Sequence, residues 1–199
     1  MKELTDWWVS RTEPRVLAQS MWDSWQAPHR LNIPVAFRMI QPIESAYELG
    51  CGSGPNLRLL REIKPSLTIG GSEPSPALSG WASEHLGVHI DQCSIPEVPR
   101  DHWDVFFTCY TLAYVEPEDV VTALKNLDGR ALVLLEPQGN VAGQGAGLMR
   151  LHANGEDYGL PEWHHDYPAL LAASGWRLTW RWPVMPPVQG LNAALIAER

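Results

Sequence analysis

The stretch Tyr47-Glu48-Leu49-Gly50-Cys51-Gly52-Ser53-Gly54 constrains this chain more than any other. Ser45 to Leu49 reads as a short strand. Glycines then fall at every second position before Pro55 opens a helix. Such glycines permit positive φ and let bare main chain approach a ligand, and the helix behind them offers free N–H groups. Two familiar ligands are excluded. A phosphate loop needs a Gly-Lys-Ser/Thr that does not follow, and the dinucleotide fingerprint needs a small third residue where Pro55 stands.

Glu48, directly before the glycines, suits a cationic ligand better than a pyrophosphate. Glu73 follows a second strand, Leu67 to Gly71, where a carboxylate can accept both hydroxyls of a ribose. Asp91 follows a third, Val88 to Ile90, within reach of a base edge in the same crevice. The competing reading makes these acids surface or turn-forming groups. Their shared place at successive strand ends favours a nucleoside bearing a positive charge.

The remaining pattern frames that site. Helices open at Pro55 (apolar face Leu57, Leu60, Ile63), at Pro76 (Leu78, Trp81, Ala82, Leu86) and at Pro117 (Val120, Val121, Leu124, Leu127). Trp103 to Cys109 and Arg130 to Leu135 are continuous apolar runs, as in central strands buried on both faces. Strand–helix alternation predicts a parallel sheet covered by helices on both faces. Gly139 to Gly159 breaks the rhythm with six glycines and reads as a mobile connection, either a lid or a surface loop. A helix from Tyr167 to Ser174 follows, then a period-two strand, Trp176 to Trp182, ending before Pro183. Leu191 to Ala197 is apolar, and periodicity leaves it strand or helix.

The first forty residues read as helical and tryptophan-rich. Thr12 is placed to cap a helix with Pro14 in its first turn, and Leu17, Met21 and Trp25 share one face before Pro28 and Pro34 break the pattern. Ten tryptophans in 199 residues suggest an aromatic core or cavity wall. The formal net charge of −8 argues against nucleic acid as a partner. Three widely spaced cysteines form neither a disulfide framework nor a zinc site. With no apolar leader and no membrane span, the expected compartment is a reducing cytoplasm.

On these residues the chain resembles the class I S-adenosylmethionine-dependent methyltransferases from about Ser45 onward. Glu48 to Gly54 is similar to the family's first motif, Glu73 to its ribose-binding acid, and Asp91-Gln92-Cys93-Ser94-Ile95-Pro96 to its adenine-side motif. Trp103 to Thr108, with Leu112, resembles the fourth strand and the loop beneath the methyl group, and Leu135-Glu136-Pro137 the end of the fifth. Pro74-Ser75-Pro76 departs from the family, which often has an aromatic residue or another acid directly after the ribose acid.

The resemblance implies a Rossmann-like, doubly wound, seven-stranded, mostly parallel α/β sheet whose last strand is antiparallel. It divides the chain into an N-terminal cap segment, residues 1–40, and a cofactor-binding domain, residues 41–199. The implied contacts with S-adenosylmethionine are Glu48, Gly50, Cys51, Gly52, Gly54, Asn56, Glu73, Pro74, Asp91, Gln92, Cys93 and Thr108, with no metal. The implied activity is methyl transfer to a small organic acceptor. The alternative is a non-catalytic binding or regulatory subunit built on the same fold.

Catalytic candidates are weaker. Tyr110 either lines the transfer site or packs. His164-His165 make a poor chelate, because neighbouring side chains diverge; one of them is a candidate general base. Asp166 is expected to cap the helix that follows.

Overall fold

The computed structural model describes residues 14–137, 147–153, 156–188 and 191–199. Its centre is a seven-stranded sheet of order β3-β2-β1-β4-β5-β9-β8. These strands are β1 (Ser45–Leu49), β2 (Thr68–Ser72), β3 (Ile90–Asp91), β4 (His102–Cys109), β5 (Asp128–Leu135), β8 (Arg177–Val188) and β9 (Leu191–Glu198). β1 to β5 pair in parallel, and β9 runs antiparallel between β5 and β8. The Rossmann-like, mostly parallel sheet with an antiparallel last strand is therefore present. Leu191 to Ala197, left open by periodicity, is strand.

The apolar runs of the central strands divide their side chains between two cores. Ala46, Val105, Phe107, Ala131, Val133 and Ile196 face one way, against α2 (Asn32–Ile40), α3 (Pro55–Ile63) and α4 (Pro76–Leu86). Tyr47, Phe106, Leu132, Leu134 and Leu195 face the other, against α5 (Pro117–Asn126) and α6 (Tyr167–Ala173). A period of two in a strand covered on both faces produces this partition. Arg199 ties the second layer together: its guanidinium donates to Leu124 O and Ser174 O and lies 4.3 Å from the Trp176 ring centroid.

α3, α4, α5 and α6 each begin with a proline in the first turn, where its missing N–H is not needed. Ser75 caps α4, and Asp166 caps α6 by accepting from Ala169 N at 3.2 Å, as its position before the helix implied. Ahead of α2, α1 (Pro14–Asp23) leads into two short 3₁₀ turns, Ser24–Gln26 and Pro28–Leu31. The cap expected at Thr12 and the tryptophans Trp7 and Trp8 lie outside the described residues. Pro34 does not end a helix. It sits third in α2, where the N–H has no intrahelical partner. α2 belongs to the core: Ile33, Ala36, Phe37 and Ile40 are buried, and Phe37 meets Phe107 edge-on at 5.5 Å.

Two expectations are corrected. Within Gly139 to Gly159, Gly147–Ala153 (β6) and Glu156–His164 (β7) form an antiparallel two-stranded ladder; residues 138–146 and 154–155 lie outside the described residues. Main-chain pairing makes that ladder, so a glycine-rich segment without side-chain periodicity conceals it. β8 also continues past Pro183: it is the sheet's edge, where proline is tolerated, and its register with β9 shifts between Pro183 and Val188. Its alternation slips between Leu178 and Trp180, leaving Trp180 exposed.

Phe107→Ala and Phe37→Ala should each lower the unfolding free energy by about 3–5 kcal/mol in urea titrations. A loss below about 1 kcal/mol for Phe37→Ala would separate α2 from the core.

Candidate functional site

The carboxyl ends of β1, β2 and β4 open on a cavity of about 290 Å³. Its floor is the turn between β1 and α3. Gly50, Gly52 and Gly54 all have positive φ, 69°, 56° and 84°. A Cβ on Gly50 would strike the Thr111 side chain, and one on Gly52 the methyl of Met21. The alternating glycines thus provide both the left-handed turn and the close approach.

Glu73 fixes this turn to the end of β2. Its Oε2 accepts from Gly52 N at 3.0 Å and its Oε1 from Ser75 N at 2.9 Å. Glu48 is 1% exposed. Asn56 Nδ2 donates to its Oε1, while its Oε2 has no partner among the described residues. Burial, assisted by Glu73 and Glu136, pushes its pKa up to about 8 against the pull of Asn56 and Arg30. Burial likewise raises Glu73.

Arg30, from the turn before α2, reaches the same cavity. Its Nε donates to Ser24 O and one Nη to Ser24 Oγ, both at 3.0 Å, and the other Nη donates to Asn56 Oδ1. A guanidinium carries five N–H groups, so one on each terminal nitrogen has no partner among the described residues.

Among the residues expected to meet a cofactor, Glu48, Gly50, Cys51, Gly52, Asn56, Glu73 and Pro74 line the cavity. Gly54, Asp91, Gln92, Cys93 and Thr108 are not in its wall. Gly54 starts α3. Asp91 accepts from the Tyr47 hydroxyl at 2.7 Å and lies 3.1 Å from His89 Nε2; Ser94 and Ile95 hold the wall beyond it. Thr108 is fully buried and donates to Glu136.

Tyr110 lines the cavity; His164 and His165 do not. His165 donates to Leu112 O at 2.9 Å and stacks with Trp163. Burial lowers the pKa of both histidines, disfavouring their charged forms. Cys51 and Cys109 reach the cavity as thiols, Cys109 pushed up to about 12 by burial. Among the described residues no cluster of His, Cys, Asp or Glu could hold a metal, and no helix is long and apolar enough to cross a membrane.

Sequence reasoning missed Met21, Arg30, Thr111 and Tyr114 in the wall, and Glu136 behind it. Arg30 lies among proline breaks and carries no motif. Glu136 carried the signal that found Glu48 and Glu73, an acid closing an apolar strand.

No protein-family model matches the sequence, and no curated protein does either. Solved structures do match. A methyltransferase from Leishmania major that depends on S-adenosylmethionine aligns over 99% of this chain and 81% of its own, at 17% identity and TM-score 0.69. DesVI of Streptomyces venezuelae aligns over 88% and 92%, at 14% and 0.64. The sugar N-methyltransferase KedS8 of a Streptoalloteichus species aligns over 87% of each chain, at 17% and 0.62. The chain has the class I S-adenosylmethionine-dependent methyltransferase fold.

Glu48 and Glu136 make stability depend on pH. Folded, Glu48 keeps its proton to about pH 8 and Glu136 to about pH 7, whereas an unperturbed glutamate releases it near 4.5. Between those values the folded state binds the extra protons, so stability is greatest below pH 4.5 on this account and falls as pH rises through 8. Urea unfolding of Glu48→Gln should show a shallower decline between pH 5.5 and 8.5 (about the window of this titration). An unchanged slope would refute the assignment.

Proposed function

We propose that this protein binds S-adenosylmethionine in the cavity at the ends of β1, β2 and β4 and transfers its methyl group to a small organic acceptor. One observation carries the reading: buried acidic side chains beside bare glycine main chain, with Glu48 holding an oxygen that has no partner among the described residues. Burial raises the Glu48 pKa to about 8, so its charged form is costly without a ligand. A cationic ligand recovers that cost.

The donor set fits the cofactor part by part. Glu48 suits its positive ammonium and sulfonium end. The two spare N–H groups of Arg30 suit a carboxylate, which guanidinium recognises as a charge-assisted partner. Each oxygen of Glu73 accepts one backbone N–H and keeps a lone pair for a ribose hydroxyl. Pro74, Leu78 and Ile95 offer an apolar wall to adenine, with Ser94 as its polar neighbour.

When bound, the sulfonium supplies a methyl group already attached to a good, neutral leaving group. The chain has correspondingly little chemistry to perform. What remains for the chain is to shield the reaction from water and to hold the acceptor in line at about 3 Å. Tyr110, Thr111 and Tyr114 form part of the cavity wall beside the glycine loop. The described residues of the cavity include no histidine, which favours an acceptor that reacts as a neutral or already ionised nucleophile. The acidic chain and the small acceptor named for KedS8 agree with a metabolite or sugar in that place.

Calorimetric titration with S-adenosylmethionine should show one site, weakened about 10–100-fold by Glu73→Ala. No heat from the wild type would leave a non-catalytic scaffold standing. An acceptor screen reading S-adenosylhomocysteine release then identifies the substrate, with Gly52→Arg as the control that must lose the signal.

A further inference from the structure

The turn after β4 has a conformation that its sequence does not favour. Tyr110 has φ 59°, the left-handed region, which is an outlier for a bulky residue. Such a conformation persists only where its surroundings impose it. Tyr110 N donates to Leu135 O at 2.9 Å, anchoring the start of the turn.

The next residues converge on Glu136. Its carboxylate accepts from Thr111 N at 2.8 and 3.0 Å, from Ala113 N at 3.4 Å, and from the Thr108 hydroxyl. The Leu112 amide also favours its charged form. These amides open the 3₁₀ turn Leu112–Tyr114, where backbone N–H groups lack intrahelical partners. From the opposite side His165 fixes Leu112 O. Thr111 then donates to Gly50 O at 3.1 Å, so the same turn is fastened to the glycine loop.

Glu136 is fully buried and outside the cavity wall. A bystander acid there would be expensive, and a neutral residue of similar size would serve packing as well. What a carboxylate alone supplies is several acceptor sites pointing at converging N–H groups.

We propose that Glu136 is a positioning residue: by gathering the amides of Thr111 and Ala113 it holds Tyr110 in its left-handed conformation and sets the Tyr110–Tyr114 wall against which the acceptor rests. The assignment of that wall to the acceptor rests on the methyl-transfer reading above; the control of the turn by Glu136 does not. Tyr110 and Tyr114, with ring centroids 6.4 Å apart, both line the cavity, so the turn's geometry is the shape of that wall.

Glu136→Gln preserves size but presents an NH₂ where the amides need an acceptor. Amide hydrogen exchange followed by NMR should accelerate about tenfold or more at Thr111 and Ala113, while Phe106 and Val133 in the core keep wild-type rates. Thr108→Val, which withdraws only the hydroxyl donor, should accelerate the same amides less, about threefold. It also serves as the test should Glu136→Gln fail to fold. Once an acceptor is known, Glu136→Gln should lower kcat far more than it weakens S-adenosylmethionine binding by calorimetry. Wild-type exchange at Thr111 and Ala113 in the variants, or acceleration spread evenly through the core, would overturn the proposal. Failure of the wild type to bind S-adenosylmethionine would sink the cofactor reading and leave the exchange result to decide Glu136 by itself.

Discussion

At the carboxyl edge of the sheet, three acidic side chains are buried with no salt bridge among the described residues. Glu48, Glu73 and Glu136 end β1, β2 and β5, and their oxygens are held by backbone amides, Asn56 and Thr108 rather than by salt bridges among the described residues. Burial raises the pKa of all three. Neutral donors offset part of the cost of burying a carboxylate, and the rest needs a reason. For Glu73 and Glu136 the reason is local, since each gathers amides of a turn the sheet must display. Among the described residues, Glu48 keeps one oxygen without a partner beside the cavity.

This edge can be so polar because the layers beneath it are not. Alternate side chains of β1, β4, β5 and β9 enter two separate apolar cores, so the strands are rigid where their ends carry the site. The N-terminal segment adds to both levels. α2 completes one core through Ile33, Ala36, Phe37 and Ile40, while Met21 and Arg30 reach over the glycine loop. Residues that read as a cap thus build core and cavity together. Arg58 lies between the rings of Trp22 and Trp25, at 4.8 and 4.6 Å from their centroids, and ties the segment to α3.

Much of this was legible in advance, for identifiable reasons. Central strands buried on both faces read as apolar runs, and helices opening at proline advertise their starts, so Phe106, Val133, Pro55 and Pro117 were easy to place. The glycine loop was legible because positive φ leaves few residue choices. Other features were hidden. β6 and β7 pair through main chain in a glycine-rich stretch, and β8 runs through prolines because it is an edge. Asp91 stands where a base-binding acid would stand, but Tyr47, on β1 two strands away, donates its hydroxyl to that carboxylate; a partner from another strand leaves no mark in local sequence.

By itself, the sequence determined the strand–helix alternation from β1 to β5, the left-handed glycine turn and the acids at strand ends, because each depends on local conformation or on periodicity. Only the tertiary structure decided that Arg30 reaches the glycine loop, that Glu136 grips the turn after β4, and that His164 and His165 lie away from the cavity. Those outcomes join residues 20 or more positions apart in the chain (about 26 for Arg30 with Asn56) through side-chain donors and acceptors. No window of sequence contains both partners, so their meeting is a property of packing.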